Sequence, residues 1–364
     1  MSAIKECMKQ TLFFLLLLAA FGCSKAPEAK PQSGPEKLKV GIILPLTGDM
    51  AMYGRDALDT ALLWKKDHPN AQVEIISEDS QLDPVKSFHA AMKLIDLDHV
   101  NVLLTIDANT GRPIKRLATQ YKVVQICQAW DPGISDGKFN LIGEFEPAED
   151  AALLVKYLVT QKIKKIGILY MQNVAFSICD REIEKKAKEE GLEVVASDPF
   201  TPGVRDFRIE LLKIKEGNPD ILILLSFSPE MEIIGHHLKQ IGWNVPLTSV
   251  NSFDQSCEHS LWNGCVSVSG MDLTGEYAKK FFAMYKRQTV YPGFTYDYLT
   301  LVNNAYENYC RDPEYLSFPG IIQKSSPFHG IVGDAVNGRG TFRYQPFLVK
   351  MVDGMPQRIA MPQP

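Results

Sequence analysis

No apolar run in the 364-residue chain is long enough to cross a bilayer: the longest, Leu12 to Phe21, has ten residues, about half of what a spanning helix needs. Motifs for catalysis are also scarce. No nucleophile elbow of the hydrolase kind is recognised, and none of the seven histidines precedes a glutamate, which excludes the zinc-protease helix. Gly133-Ile134-Ser135-Asp136-Gly137-Lys138-Phe139 imitates a phosphate loop but has one residue too few between its glycines and no Ser or Thr for magnesium, so it reads as a turn. His236 and His237 point about a hundred degrees apart on a helix and do not share a metal easily. Cys257-Glu258-His259 has no second ligand pair at metal spacing. The chain is therefore read as a non-enzyme with no cofactor and no metal. With 39 Lys and Arg against 43 Asp and Glu, it has no basic excess to suggest a nucleic-acid partner.

Cysteines are few and odd in number where they matter. Cys7 lies in the apolar leader and Cys23 just behind it, leaving Cys127, Cys179, Cys257, Cys265 and Cys310. At least one thiol of these five is free. Cys257 and Cys265 flank the short segment Glu258 to Gly264 and are the expected disulfide in an oxidising envelope, worth about 2–3 kcal/mol by chain entropy. The alternative is two buried thiols.

What the chain does contain begins with an export signal. Lys5 and Lys9 precede the apolar run, and Ala20-Phe21-Gly22-Cys23 resembles a lipobox, which predicts removal of residues 1–22 and lipid on Cys23. Ser24 resembles the outer-membrane sorting pattern. Residues 24–37, with three prolines and several charges, form a tether with nothing to bury. The remainder, from Leu38 on, exceeds what one hydrophobic core usually accommodates and favours two lobes.

The run Lys39-Val40-Gly41-Ile42-Ile43-Leu44 reads as a buried parallel strand that Pro45 and Gly48 stop; Leu58, Ala61 and Leu62 then mark one face of a helix. Lys164-Lys165-Ile166-Gly167-Ile168-Leu169-Tyr170 restates that strand. Strands at 72–77 and 100–105 with a helix at 84–97 continue the first half; strands at 192–196 and 220–225 with a helix from Asp206, burying Phe207, Leu211 and Ile214, continue the second. The fold class that follows is α/β, with two doubly wound lobes.

The words Leu44-Pro45-Leu46-Thr47-Gly48, Met52-Tyr53-Gly54, Asp83-Pro84, Asp206-Phe207, Tyr296-Asp297 and Phe328-His329-Gly330, in this order, resemble the type I periplasmic solute-binding proteins, the Leu/Ile/Val-binding-protein family that serves ABC importers. The resemblance implies Rossmann-like lobes joined by a three-strand hinge: lobe I at 38–142 and 271–337, lobe II at 143–270 and 338–364. It also implies a small-molecule ligand between the lobes, an ABC permease or other envelope protein as partner, and a lipid-anchored, periplasm-facing place in the bacterial envelope. A regulatory or sensory interaction module of the same fold, binding a protein partner, is the alternative.

The same resemblance places the site. Tyr53 matches a pocket tyrosine, or packs only on its own helix. Asp107, Asn109 and Thr110 occupy a loop that holds a ligand carboxylate in relatives, Thr110 standing at the serine position or serving only as a helix cap. Trp130, Phe176 and Phe227 replace a threonine and two tyrosines, and either line the cleft or fill the lobe cores. Asp254 or Asp107 stands in for the acid that holds an ammonium. A tryptophan and two phenylalanines favour an apolar or aromatic ligand, of carboxylate type by the loop at Thr110, over a polar amino acid.

Overall fold

The structure, a computed structural model, describes residues 37–362 apart from 130, 145, 271–274, 292, 312–316 and 339. The leader, Cys23, most of the tether and Trp130 lie outside the described residues. No described helix is long and apolar enough to cross a membrane.

The first half runs β1 (Leu38–Leu44), α1 (Ala51–Asp67), β2 (Val73–Asp79), α2 (Pro84–Asp96), β3 (Val102–Ile106), α3 (Ala108–Tyr121), β4 (Val124–Gln128) and β5 (Asn140–Glu144). Strands buried on both faces and joined by helices pair in parallel, giving the order β2-β1-β3-β4-β5. α1 buries Tyr53, Ala57, Ala61 and Trp64, a stripe at helical spacing. Leu62 falls off that stripe and is 48% exposed, contrary to expectation.

The second half repeats the plan with α4 (Pro147–Thr160), β6 (Lys165–Met171), α5 (Val174–Glu189), β7 (Glu193–Phe200), α6 (Arg208–Glu216), β8 (Ile221–Leu225), α7 (Glu230–Gln240) and β9 (Leu247–Thr248), in the parallel order β7-β6-β8-β9. Phe207, Leu211 and Ile214 are fully buried, as the pattern predicts. Asn173 caps α5, its Oδ1 accepting the Phe176 amide at 2.8 Å, and the helix begins at Val174.

β10 (Val266–Ser269) pairs antiparallel with β14 (Phe347–Val352), and β14 with β15 (Met355–Ile359), in a separate three-stranded sheet. Between them the chain returns to the first sheet through α8 (Glu276–Tyr285), α9 (Phe294–Arg311) and α10 (Phe318–Lys324), then β11 (Phe328–His329), β12 (Asp334–Gly338) and β13 (Thr341–Tyr344). β13 pairs with β5, Thr341 opposite Ile142, so residues 338–344 stay with the first sheet. The chain leaves it after Tyr344, later than the expected crossing near Gly338.

Buried polar side chains tie the crossings together. The Tyr298 hydroxyl donates to the Gly143 carbonyl at the end of β5, and a Cβ on Gly143 would collide with that ring. Asn251 bonds Asp150 of α4 at 3.1 Å and accepts the Gly270 amide at 3.0 Å. Asp254 accepts from Ser269 at the end of β10. Asp297 takes the amides of Ile331 (2.7 Å) and Val332 (3.3 Å) and the Tyr344 hydroxyl (3.3 Å). Burial pushes the Asp254 carboxyl up to about 6 and that of Asp297 up to about 7.

Candidate functional site

In each parallel sheet the strand order reverses at one point, between β1 and β3 in the first and between β6 and β8 in the second. Loops leaving neighbouring strands diverge there and open a crevice. The two crevices meet in one cleft of about 110 Å³. Pro45, Met50 and Tyr53 enter from behind β1, Ile106, Asp107 and Ala108 from behind β3, and Gln128 and Ala129 from behind β4. Val174, Ala175 and Phe227 face them from behind β6 and β8, and Leu82, Gln255 and Tyr291 complete the wall.

The first loop is braced by Asp79, which accepts the Leu46 amide at 2.8 Å and the Thr47 hydroxyl at 2.6 Å. A Cβ at residue 54 would strike the Pro45 carbonyl, so glycine lets α1 start close against this loop. Tyr53 is thereby set against the opposite lobe, edge-on to Phe227 with ring centroids 5.9 Å apart. Its buried hydroxyl has no partner of good hydrogen-bond geometry among the described residues, and the Ser228 backbone and hydroxyl are the polar groups close enough to act on it. Burial, and next the charge of Glu232, raise its pKa. Cys257 Sγ lies 3.4 Å from Met52 Sδ, and Arg205 lies 3.8 Å from Asp49, so the lobes touch on both sides of Tyr53.

Asp107 ends β3 with φ 72° and ψ 150°, a conformation that costs a non-glycine residue on the order of 1–3 kcal/mol. Its amide donates to the Gln128 carbonyl at 2.8 Å, and its carboxylate caps α3 by accepting the Asn109 amide at 2.6 Å. Burial raises its pKa against the effect of that bond. Gln128 Oε1 accepts the Tyr291 hydroxyl at 2.8 Å, and Gln255 Nε2 donates to the Asn251 carbonyl at 2.5 Å. Eleven of the fourteen lining residues are apolar or aromatic, and Asp107 is the single charged one among the described residues. That composition suits an apolar body with one polar handle.

Of the residues singled out from the sequence, the structure brings Tyr53, Asp107 and Phe227 into this cleft. Phe176 is fully buried behind Phe227, ring centroids 4.7 Å apart, because α5 begins early enough to turn it into the core. Asn109 is exposed, and Thr110 is buried in the first turn of α3 without lining the cleft; the cap is Asp107. Of the anticipated carboxylate cradle, the Asn109 amide is taken by the chain's own Asp107 carboxylate. Asp254 is buried against Ser269, and its neighbour Gln255 reaches the cleft instead. Trp130 lies outside the described residues. Met50, Leu82, Val174, Ala175 and Tyr291 were not anticipated; Tyr291 arrives from the far end of the chain and carries no local signal.

The expected Cys257–Cys265 bridge is absent: both are thiols, Cys257 exposed and Cys265 half-buried. The 3₁₀ turn His259–Trp262 drives Trp262 into the core, stacked on Phe253 at 4.5 Å. Cys257 is left at the lobe contact, while Cys265 pairs through its backbone with Met351. Residues 133–137 do spell Gly-x-Ser-x-Gly, yet Ser135 lies in the connection between β4 and β5 rather than in a strand-to-helix elbow, its hydroxyl donating to the Gly340 carbonyl at 3.3 Å and accepting the Gly137 amide at 3.3 Å. Among the described residues no group of three His, Cys, Asp or Glu side chains is placed to hold a metal.

Two α/β lobes with facing switch points and a cleft between them define the type I binding-protein architecture. The family model described as periplasmic binding protein matches residues 37–291, and the chain belongs to that family. It is similar to the leucine-, isoleucine-, valine-, threonine- and alanine-binding protein of Pseudomonas aeruginosa, 22% identical over 242 residues. The match covers 64% of this chain and 63% of that protein. Among solved structures, a leucine-binding protein LivK from Thermotoga maritima shares the fold with a TM-score of 0.78 at 19% identity, covering 90% of this chain and 99% of that one. An ABC-transporter solute-binding protein from Rhodopseudomonas palustris, in complex with 3,4-dihydroxybenzoic acid, has a TM-score of 0.79 at 18% identity, with 90% and 99% covered.

Proposed function

We propose that the protein is an extracytoplasmic receptor that captures a small, apolar or aromatic solute between its lobes and presents the closed form to an ABC importer. The carrying observation is the cleft itself: loops from two facing switch points meet around about 110 Å³, with mainly apolar walls. A cavity of ~150 Å³ holds benzene, so about 110 Å³ limits the body to no more than one ring. The Rhodopseudomonas relative, crystallised with a dihydroxybenzoic acid, supports an aromatic body in this fold. The Pseudomonas and Thermotoga relatives, named for aliphatic amino acids, support the wider solute class.

A ligand touching Tyr53 on one lobe and Phe227 on the other binds the closed form better than the open one, so binding shifts the population toward closure. The hinge consists of the chain passages after β5, after β10 and after Tyr344. Lipid on Cys23 tethers the protein to the periplasmic side of the envelope, with the outer membrane favoured by Ser24. A cleft walled by apolar side chains favours this reading over a purely protein-binding module. Thermal-shift screening of single-ring compounds beside aliphatic amino acids tests it. Ring compounds stabilise the wild type and not Phe227→Ala; a shift from leucine or valine alone, unchanged in Phe227→Ala, overturns it.

A further inference from the structure

The polar handle of the cleft has the opposite sign from the one a carboxylate needs. Asp107 Oδ1 already takes the Asn109 amide at 2.6 Å, so that first-turn amide of α3 is not available to a ligand anion. Asp107 itself lines the cleft, and no lysine, arginine or histidine is among the described lining residues. Of the nearby cations, Arg55 is outside the lining and donates to the Leu46 carbonyl at 3.3 Å, and two others are paired with carboxylates. Arg112 donates twice to Asp131, at 2.6 and 2.8 Å, and Arg205 pairs with Glu230 at 2.7 Å and lies 3.8 Å from Asp49. A bound carboxylate would face Asp107 in a poorly solvated space with no counter-charge, where repulsion is strong. A cation reverses that balance, because a carboxylate accepts several hydrogen bonds at once and a desolvated ion pair with bonded partners is favourable.

Resting on the cleft as the ligand site, we propose that the ligand class is a small apolar amine. Its ammonium group donates to the Asp107 carboxylate while a body one ring in size lies against Tyr53 and Phe227. Asp107 is then the residue that sets specificity by charge. The backbone at 107 is held in its unusual conformation by the amide bond to Gln128, which keeps residue 107 in the lining of the cleft at the end of β3.

Calorimetric titration of the full chain with benzylamine, benzyl alcohol and benzoate tests this. Benzylamine binds the wild type at least tenfold more tightly than benzyl alcohol, and benzoate gives no measurable heat. Asp107→Asn, whose side chain still caps α3 and tolerates positive φ, loses at least tenfold in benzylamine affinity, and its preference between amine and alcohol disappears. Asp107→Gly loses the same affinity while folding without backbone strain, which separates ligand contact from structural support. Benzoate binding the wild type more tightly than benzylamine, and lost in Phe227→Ala, overturns the amine while leaving the cleft as the site. Equal benzylamine affinity in wild type and Asp107→Asn also overturns it. Silence from all three probes removes the single-ring cleft reading and the amine with it.

Discussion

Asp297→Asn is the most informative perturbation of the proposed hinge. Asp297 sits in the first turn of α9 and binds the 331–332 backbone and Tyr344, immediately before the chain crosses to β14. Its carboxyl is pushed up to about 7, first by burial, with the three hydrogen bonds acting in the opposite direction. An unfolded aspartate titrates near ~3.9, and each pKa unit is worth about 1.4 kcal/mol. The folded protein therefore holds this proton more tightly than the unfolded chain. The stabilisation is complete below the unfolded value and is lost as pH rises through about 7. Between pH ~4.5 and ~8 the loss amounts to about 3 kcal/mol. Asparagine does not ionise, so the variant lacks this slope; its single oxygen keeps the Ile331 amide, while its NH2 replaces the oxygen that accepts from Val332 and Tyr344, which lowers stability by an amount independent of pH. Urea unfolding of both proteins across that range isolates the difference, since Asp254 and every surface group titrate alike in the two. A wild-type-minus-variant difference that is constant with pH refutes an Asp297 that is neutral when folded.

Tyr53→Phe removes a buried hydroxyl whose approach to Ser228 falls short of good hydrogen-bond geometry. Leaving such a group unpaired costs about 1–3 kcal/mol, so the ligand-free variant gains roughly 1 kcal/mol in unfolding free energy; a loss of that size shows that the hydroxyl is satisfied. Alkylation of the unreduced, denatured protein followed by peptide mass spectrometry marks both Cys257 and Cys265, whereas protection of the pair restores the disulfide. The same digest finds lipid on Cys23 if the export signal is processed as proposed, and an unmodified Cys23 removes the anchor.

The alternating strand and helix pattern was legible because parallel strands buried on both faces read as continuous apolar runs, as at 38–44 and 221–225. Strand ends slipped by one to four residues where polar residues extend a ladder; β7 runs on to Phe200 through Ser197 and Asp198. At the site, Tyr53 and Phe227 were accessible because the family resemblance aligns them with pocket tyrosines of relatives, and both lie behind strand ends that face the cleft. Thr110 and Phe176 were misplaced for a local reason: one capping residue, Asp107 or Asn173, decides where the helix starts and therefore which side chain turns inward. Glu232 had no signal at all. It is buried in α7 and accepts from Ser228 and Ser256 at 2.6 Å each and from the Cys257 amide at 2.9 Å, so tertiary packing alone placed it beside Tyr53. The disulfide failed because spacing reports what a short loop permits, whereas Trp262 determines what it does.

The central claim is capture of a ring-sized solute between Tyr53 and Phe227, and calorimetry on wild type and Phe227→Ala tests it most directly. The account predicts one-to-one binding of a single-ring ligand to the wild type. In Phe227→Ala that affinity falls by about 2–4 kcal/mol, the size of a buried aromatic anchor, while the variant remains folded. Undiminished affinity in Phe227→Ala, or binding confined to leucine or valine, contradicts it.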